Sequence, residues 1–91
     1  MSAVVTIDFA IQWDKPVYVG RGDRLDMTIV GPGDAIRYMR TEFRAKHGPA
    51  YWHAQNLCLH ALLGQTDPRA ARQAFVDAWM DQVSTDFADE R

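Results

Sequence analysis

All three histidines, His47, His53 and His60, and the single cysteine, Cys58, fall within one stretch, HGPAYWHAQNLCLHALLG, residues 47–64. A thiolate beside an imidazole is a pairing used for nucleophilic catalysis, and His and Cys together are ligands that zinc prefers. Both chemistries demand convergence: a base within hydrogen-bond reach of the sulfur, or ligands about 2.0–2.3 Å from one metal ion. The stretch is punctuated by Gly48-Pro49 at its start and Gly64 at its end, which reads as one helix, about Pro49 to Leu63. With successive side chains about 100° apart, His53 and His60 nearly eclipse each other, whereas Cys58 lies roughly 140° round from His53. Cys58 instead shares one broad face with Tyr51, Ala54, Leu57, Ala61 and Leu62. That face reads as packing, Cys58 as a small buried apolar residue, and the two histidines as flank or surface residues. No CxxC or HxxxH spacing is present, so the sequence nominates no catalytic residue, no metal site and no cofactor.

Other stretches invite weaker readings. RGD, Arg21 to Asp23, has the letters of an adhesion tripeptide, but nothing marks the chain as secreted, and Gly20 and Gly22 suit a tight hairpin turn. VGPGDA, Val30 to Ala35, runs from strand through turn to helix start, a geometry that binds anions. It lacks the GK[ST] ending of a phosphate loop, and Asp34 would repel a phosphate. Arg37, Arg40 and Arg44 form a basic stripe on the helix that follows, with Tyr38 and Lys46 nearby. Such a stripe is a solvated face or a contact for an acidic surface or a small anion. Asp8 with Asp14, or Asp23 with Asp26, has no base nearby and reads as solvated surface.

The elements that position these residues follow from periodicity. Apolar residues alternate from Val5 to Trp13, the pattern of a half-buried strand, and Pro16 marks its edge or the start of the next. VYV, Val17 to Val19, and LDMTIV, Leu25 to Val30, flank the GRGD break and predict an antiparallel hairpin, which the first strand can extend to three. Pro32, Pro49 and Pro68 each open a helix, where the missing N–H leaves no intrahelical bond unmade. The helices are expected at about Pro32–Lys46, Pro49–Leu63 and Pro68–Asp86, with Asp67 as the cap of the third. Strands first and helices after predict an α+β fold, three helices packed on one face of a small antiparallel sheet.

A chain of 91 residues predicts one domain with one modest core. Net charge is −2, and the aromatics are few, which argues against nucleic acid as a partner. Residues 34–66 carry a net +2 and residues 67–91 a net −3, so two copies could pair opposite charges. The start MSAVVTIDFAIQW lacks a basic segment and contains Asp8, no run of about 18 apolar residues occurs, and a lone cysteine suits a reducing compartment. The expectation is a cytoplasmic protein without a membrane partner.

Four stretches in order, WDKPVYV (13–19), VGPGDA (30–35), GPAYWHAQNLCLHALLG (48–64) and ARQAFVDAW (71–79), resemble the bacterial family called domain of unknown function 982. Phe43-Arg44 departs from the tryptophan-proline pair common at the end of the family's first helix. The resemblance implies a family-like core over residues 13–87, with residues 1–12 as an added strand or extension and 88–91 as a frayed tail. It implies no established activity and carries over no catalytic residue. Among the matching positions only Tyr51 and Arg72 are polar enough to do more than pack, Arg72 by holding a carboxylate or carbonyl. Two functions are therefore expected. The first is a non-enzymatic interaction or regulatory module that pairs with itself or another protein, through the Val5–Ile11 strand or the opposed charges. The alternative is a small-ligand or anion binder, or minor enzyme, with a pocket near Tyr51 and Arg72 and an anion contact at Arg37, Arg40 and Arg44.

Overall fold

Alternation in VYV turns two valines inward, and the hairpin forms around them. The computed structural model describes residues 11–20 and 27–89, in which β1 (Val17–Val19) pairs antiparallel with β2 (Met27–Ile29), Val17 opposite Ile29. Val17, Val19 and Ile29 are buried, while Tyr18 and Thr28, opposite one another, face out. The GRGD turn beyond Gly20 and residues 5–10 of the strand expected from Val5 to Trp13 lie outside the described residues, and Ile11 to Trp13 form no strand. The Trp13 N–H donates to the Val30 carbonyl at 2.7 Å, so the chain just before β1 already lies beside the end of β2.

Three helices follow: α1 (Pro32–Glu42), α2 (Pro49–Leu62) and α3 (Pro68–Asp89). Each begins at the expected proline, and the side chain of Asp67 caps α3 by accepting the Arg69 N–H at 2.9 Å. At the end of α2, Gly64 has φ 73° and closes a Schellman motif. The Gly64 N–H bonds the Ala61 carbonyl and the Gln65 N–H bonds that of His60. α1 stops four residues short of the expected Lys46. Phe43 turns extended, with φ −69° and ψ 131°, and drops its ring into the core edge-on to Tyr38 at 5.9 Å. The freed backbone beyond it is satisfied from a distance: the Gln82 carboxamide accepts the Ala45 N–H at 2.8 Å and donates to its carbonyl at 3.4 Å. That helix end falls on the Phe43-Arg44 pair where the family resemblance departs.

The observed arrangement is α+β, a two-stranded antiparallel hairpin followed by three helices. α2 packs against both α1 and α3, α3 also meets β1, and α1 and α3 touch each other only lightly. Phe75, Met39, Ile29, Leu62 and Val19 are among the largest fully buried side chains, and they come from all these layers. Tyr38, expected beside the arginine stripe, is instead buried between Phe43 and Phe75. The tyrosine ring holds more apolar surface than its hydroxyl can keep in water, so the helix rolls that position inward. No helix among the described residues is long and apolar enough to cross a membrane.

Candidate functional site

Arg72 occupies the flank of α3 and reaches back to the chain ahead of β1. Its Nε donates to the Lys15 carbonyl at 2.9 Å and its Nη2 to the Pro16 carbonyl at 3.4 Å. Pro16 cannot offer an N–H to the sheet, and the guanidinium fork takes up the carbonyls on either side of that break. Arg72 thereby ties the hairpin to the helices across more than fifty residues of sequence.

Tyr51, the other polar position of the family-like motifs, is buried within a run of rings. Trp13 meets Phe75 at 6.1 Å between centroids, Phe75 meets Tyr38 at 6.1 Å, and Tyr38 meets Phe43 at 5.9 Å. The run continues from Phe43 to Tyr51 at 6.0 Å and ends at Trp52, edge-on to Tyr51 at 5.1 Å. The Tyr51 hydroxyl accepts a long bond from Gln55 Nε2. Cys58 is fully buried beneath α3, with its thiol 3.9 Å from the Ala71 carbonyl, and desolvation pushes its pKa up to about 12. A thiol so held stays protonated and is a poor nucleophile at neutral pH. His53 and His60 stand on the opposite, exposed side of α2. Among the described residues, no three His, Cys, Asp or Glu side chains gather to hold a metal ion.

A shallow recess of about 210 Å³ lies between the chain ahead of β1 and the start of α3, lined by Gln12, Trp13, Asp14, Asp67, Pro68 and Arg69. Tyr51 and Arg72 are not in its lining. Two of its charges engage each other: the Arg69 guanidinium bonds the Asp67 carboxylate at 2.8–3.3 Å and holds it below the ordinary carboxylate range. Asp67 in turn raises the Arg69 pKa, with a smaller contribution from Asp14. The Trp13 indole Nε1 is buried nearby without a hydrogen-bond partner. On α1, Arg37 and Arg40 are exposed, as is Arg44, beyond the helix end.

The outward face of α2 stands apart from these. Trp52 is 55% exposed and Leu59 43%, seven residues apart on one stripe, with His53, Asn56 and His60 between and beside them. No Asp, Glu, Lys or Arg occurs anywhere from His47 to Thr66. Surface helices ordinarily dress the outer face with charge, and α2 does not. The helical wheel gives α2 its buried face and leaves Trp52 and Leu59 unassigned. The charge-free run around them was the available signal.

A family model described as Protein of unknown function (DUF982) matches residues 15–82. The chain belongs to the DUF982 family. No curated protein and no solved structure matches it. Both Tyr51 and Arg72 lie inside the matched span, together with the whole of α1 and α2 and the Trp52–Leu59 stripe.

Proposed function

We propose that this DUF982 chain is a non-enzymatic protein-interaction or regulatory module of the bacterial cytoplasm, docking through the outward face of α2. One observation carries the reading: an uncharged helix leaves Trp52 and Leu59 in water. Interface centres are poor in charge, and tryptophan dominates their energetics because one flat ring removes much apolar surface from water at little entropic cost. Trp52 is also held in place by the edge-on ring of Tyr51, so less freedom remains to be lost on binding. The buried, protonated thiol of Cys58 and the clamped guanidinium of Arg72 are held by the fold and not presented to a substrate, which favours contact over catalysis.

Site-specific photo-cross-linking tests this. A benzophenone side chain placed at residue 52 or 59 is expected to give one discrete adduct in cells, lost when the neighbouring stripe residue is made Glu. The same probe at Tyr18 or Thr28, on the outward side of the hairpin, serves as the control. Absence of any adduct at 52 and 59, or equal labelling at the controls, refutes docking on this face.

A second reading, a small-ligand binder, is favoured by the unpartnered Trp13 indole beside the recess. A thermal-shift screen of anions, nucleotides and metals tests it, since a ligand at 100 times its Kd stabilises by about 2.7 kcal/mol. A pocket at Tyr51 and Arg72 requires in addition that Arg72 release the Lys15 and Pro16 carbonyls.

A further inference from the structure

We infer that the occupant of the α2 face is a second copy of this chain, related by a two-fold axis that runs along α2. This rests on the interaction reading above. In a symmetric pair the residues nearest the two-fold axis meet their own counterparts, so a charge there faces a like charge. The outer side of α1 carries Arg37 and Arg40, and that of α3 carries Asp77 and Asp81. Of the three helices, α2 alone carries no Asp, Glu, Lys or Arg along its length, and such a face meets itself at no electrostatic cost.

The direction of pairing follows from the layer. α2 sits between α1 and α3. A two-fold axis across α2 lays α1 over α1 and α3 over α3, like charge against like. The axis along α2 instead brings the basic α1 of one copy towards the acidic α3 of the other, and sets Trp52 and Leu59 against their own counterparts. Arg37 and Arg40, exposed on α1, then serve as the rim of the contact and face the side of α3 in the other copy that carries Asp77. A helix of 14 residues is about 21 Å long and about 10 Å wide, short of the roughly 800 Å² per partner of a standard interface. The pair is accordingly weak and concentration-dependent.

Sedimentation velocity of the full chain from about 1 µM to about 500 µM spans that range. The expected result is a monomer–dimer equilibrium, weakened at least about tenfold by Leu59→Glu and recovered when Leu59→Glu and Leu59→Lys chains are mixed. Recovery on mixing requires residue 59 of one copy to face residue 59 of the other. Leu59 is exposed, and matched thermal melts confirm each variant is folded. The same pair of substitutions at Trp52 provides a second, independent swap. A strict monomer throughout overturns self-pairing, and if residue 52 still cross-links to a different protein, the interaction reading survives alone. A dimer indifferent to Leu59→Glu and Trp52→Glu overturns the face, and a sensitive dimer that mixing fails to restore overturns the axis.

Discussion

Replacing Arg72 by Met keeps most of the aliphatic stem and removes the fork that grips the Lys15 and Pro16 carbonyls. A hydrogen bond from a charged donor contributes about 1.5–3 kcal/mol, with the upper end reserved for partners left stranded in the interior. Here Lys15 is exposed and Pro16 half-buried, so water reaches the released carbonyls, and the 3.4 Å bond to Pro16 is long. The expected loss is therefore near the lower bound, about 1.5 kcal/mol. For a domain of this size each kcal/mol moves the melting temperature by about 4–8 °C, which gives a drop of roughly 6–12 °C. Arg72→Lys places a single ammonium where a fork is needed and should recover no more than about half of it. Calorimetry on the three chains, with urea midpoints as a check, measures both effects. A melting temperature for Arg72→Met within about 2 °C of the parent refutes the clamp and returns Arg72 to the list of residues awaiting a ligand.

Two other changes probe the packing. Gly31 has an extended backbone with φ −171°, so alanine is allowed there conformationally, but its Cβ would run into the Ile11 carbonyl oxygen. Because the obstacle is backbone, Gly31→Ala should cost about 1–3 kcal/mol in urea unfolding, and an unchanged midpoint would refute that close approach. Cys58 tests the buried thiol through pH. The unfolded thiol ionises above its ordinary 9.0, while the folded one holds its proton up to about 12. Its share of stability is thus fully present below pH 9 and falls as pH climbs towards 12, by up to about 1.4 kcal/mol per unit. Cys58→Ala should cost about 1 kcal/mol at pH 7 and flatten this alkaline decline relative to the parent. Identical slopes in denaturant melts from pH 8 to pH 10 would show the thiol is not shielded.

Much of the architecture was written locally. The prolines at 32, 49 and 68, the glycine at 64 and the aspartate at 67 act on the backbone within one turn of themselves, and the helix starts and the α2 stop fall where they stand. The two-residue alternation of Val17, Tyr18 and Val19 likewise needed no distant partner to declare its buried side. The face of Cys58 was legible for the same reason: a helical wheel separates it from His53 and His60 whatever packs outside. The family motifs record these same capping and packing positions, which is why they identified the family without identifying an activity.

Tertiary structure decided what local rules could not reach. α1 ends at Glu42 because Phe43 finds room among Tyr38 and Tyr51 and because Gln82, far along the chain, completes the hydrogen bonds of Ala45. Tyr38 turns inward because Phe75 offers it a ring. Arg72 meets two carbonyls whose nearness depends on how the hairpin folds back on α3. Most of all, the wheel marks the inner face of α2, but with no charge along the helix the sequence does not say whether packing or water takes Trp52 and Leu59. Packing by α1 and α3 covers Tyr51, Ala54, Cys58 and Ala61, and leaves Trp52 and Leu59 outside. Burial is a property of neighbours, and for a helix this uniform only the assembled fold supplies them.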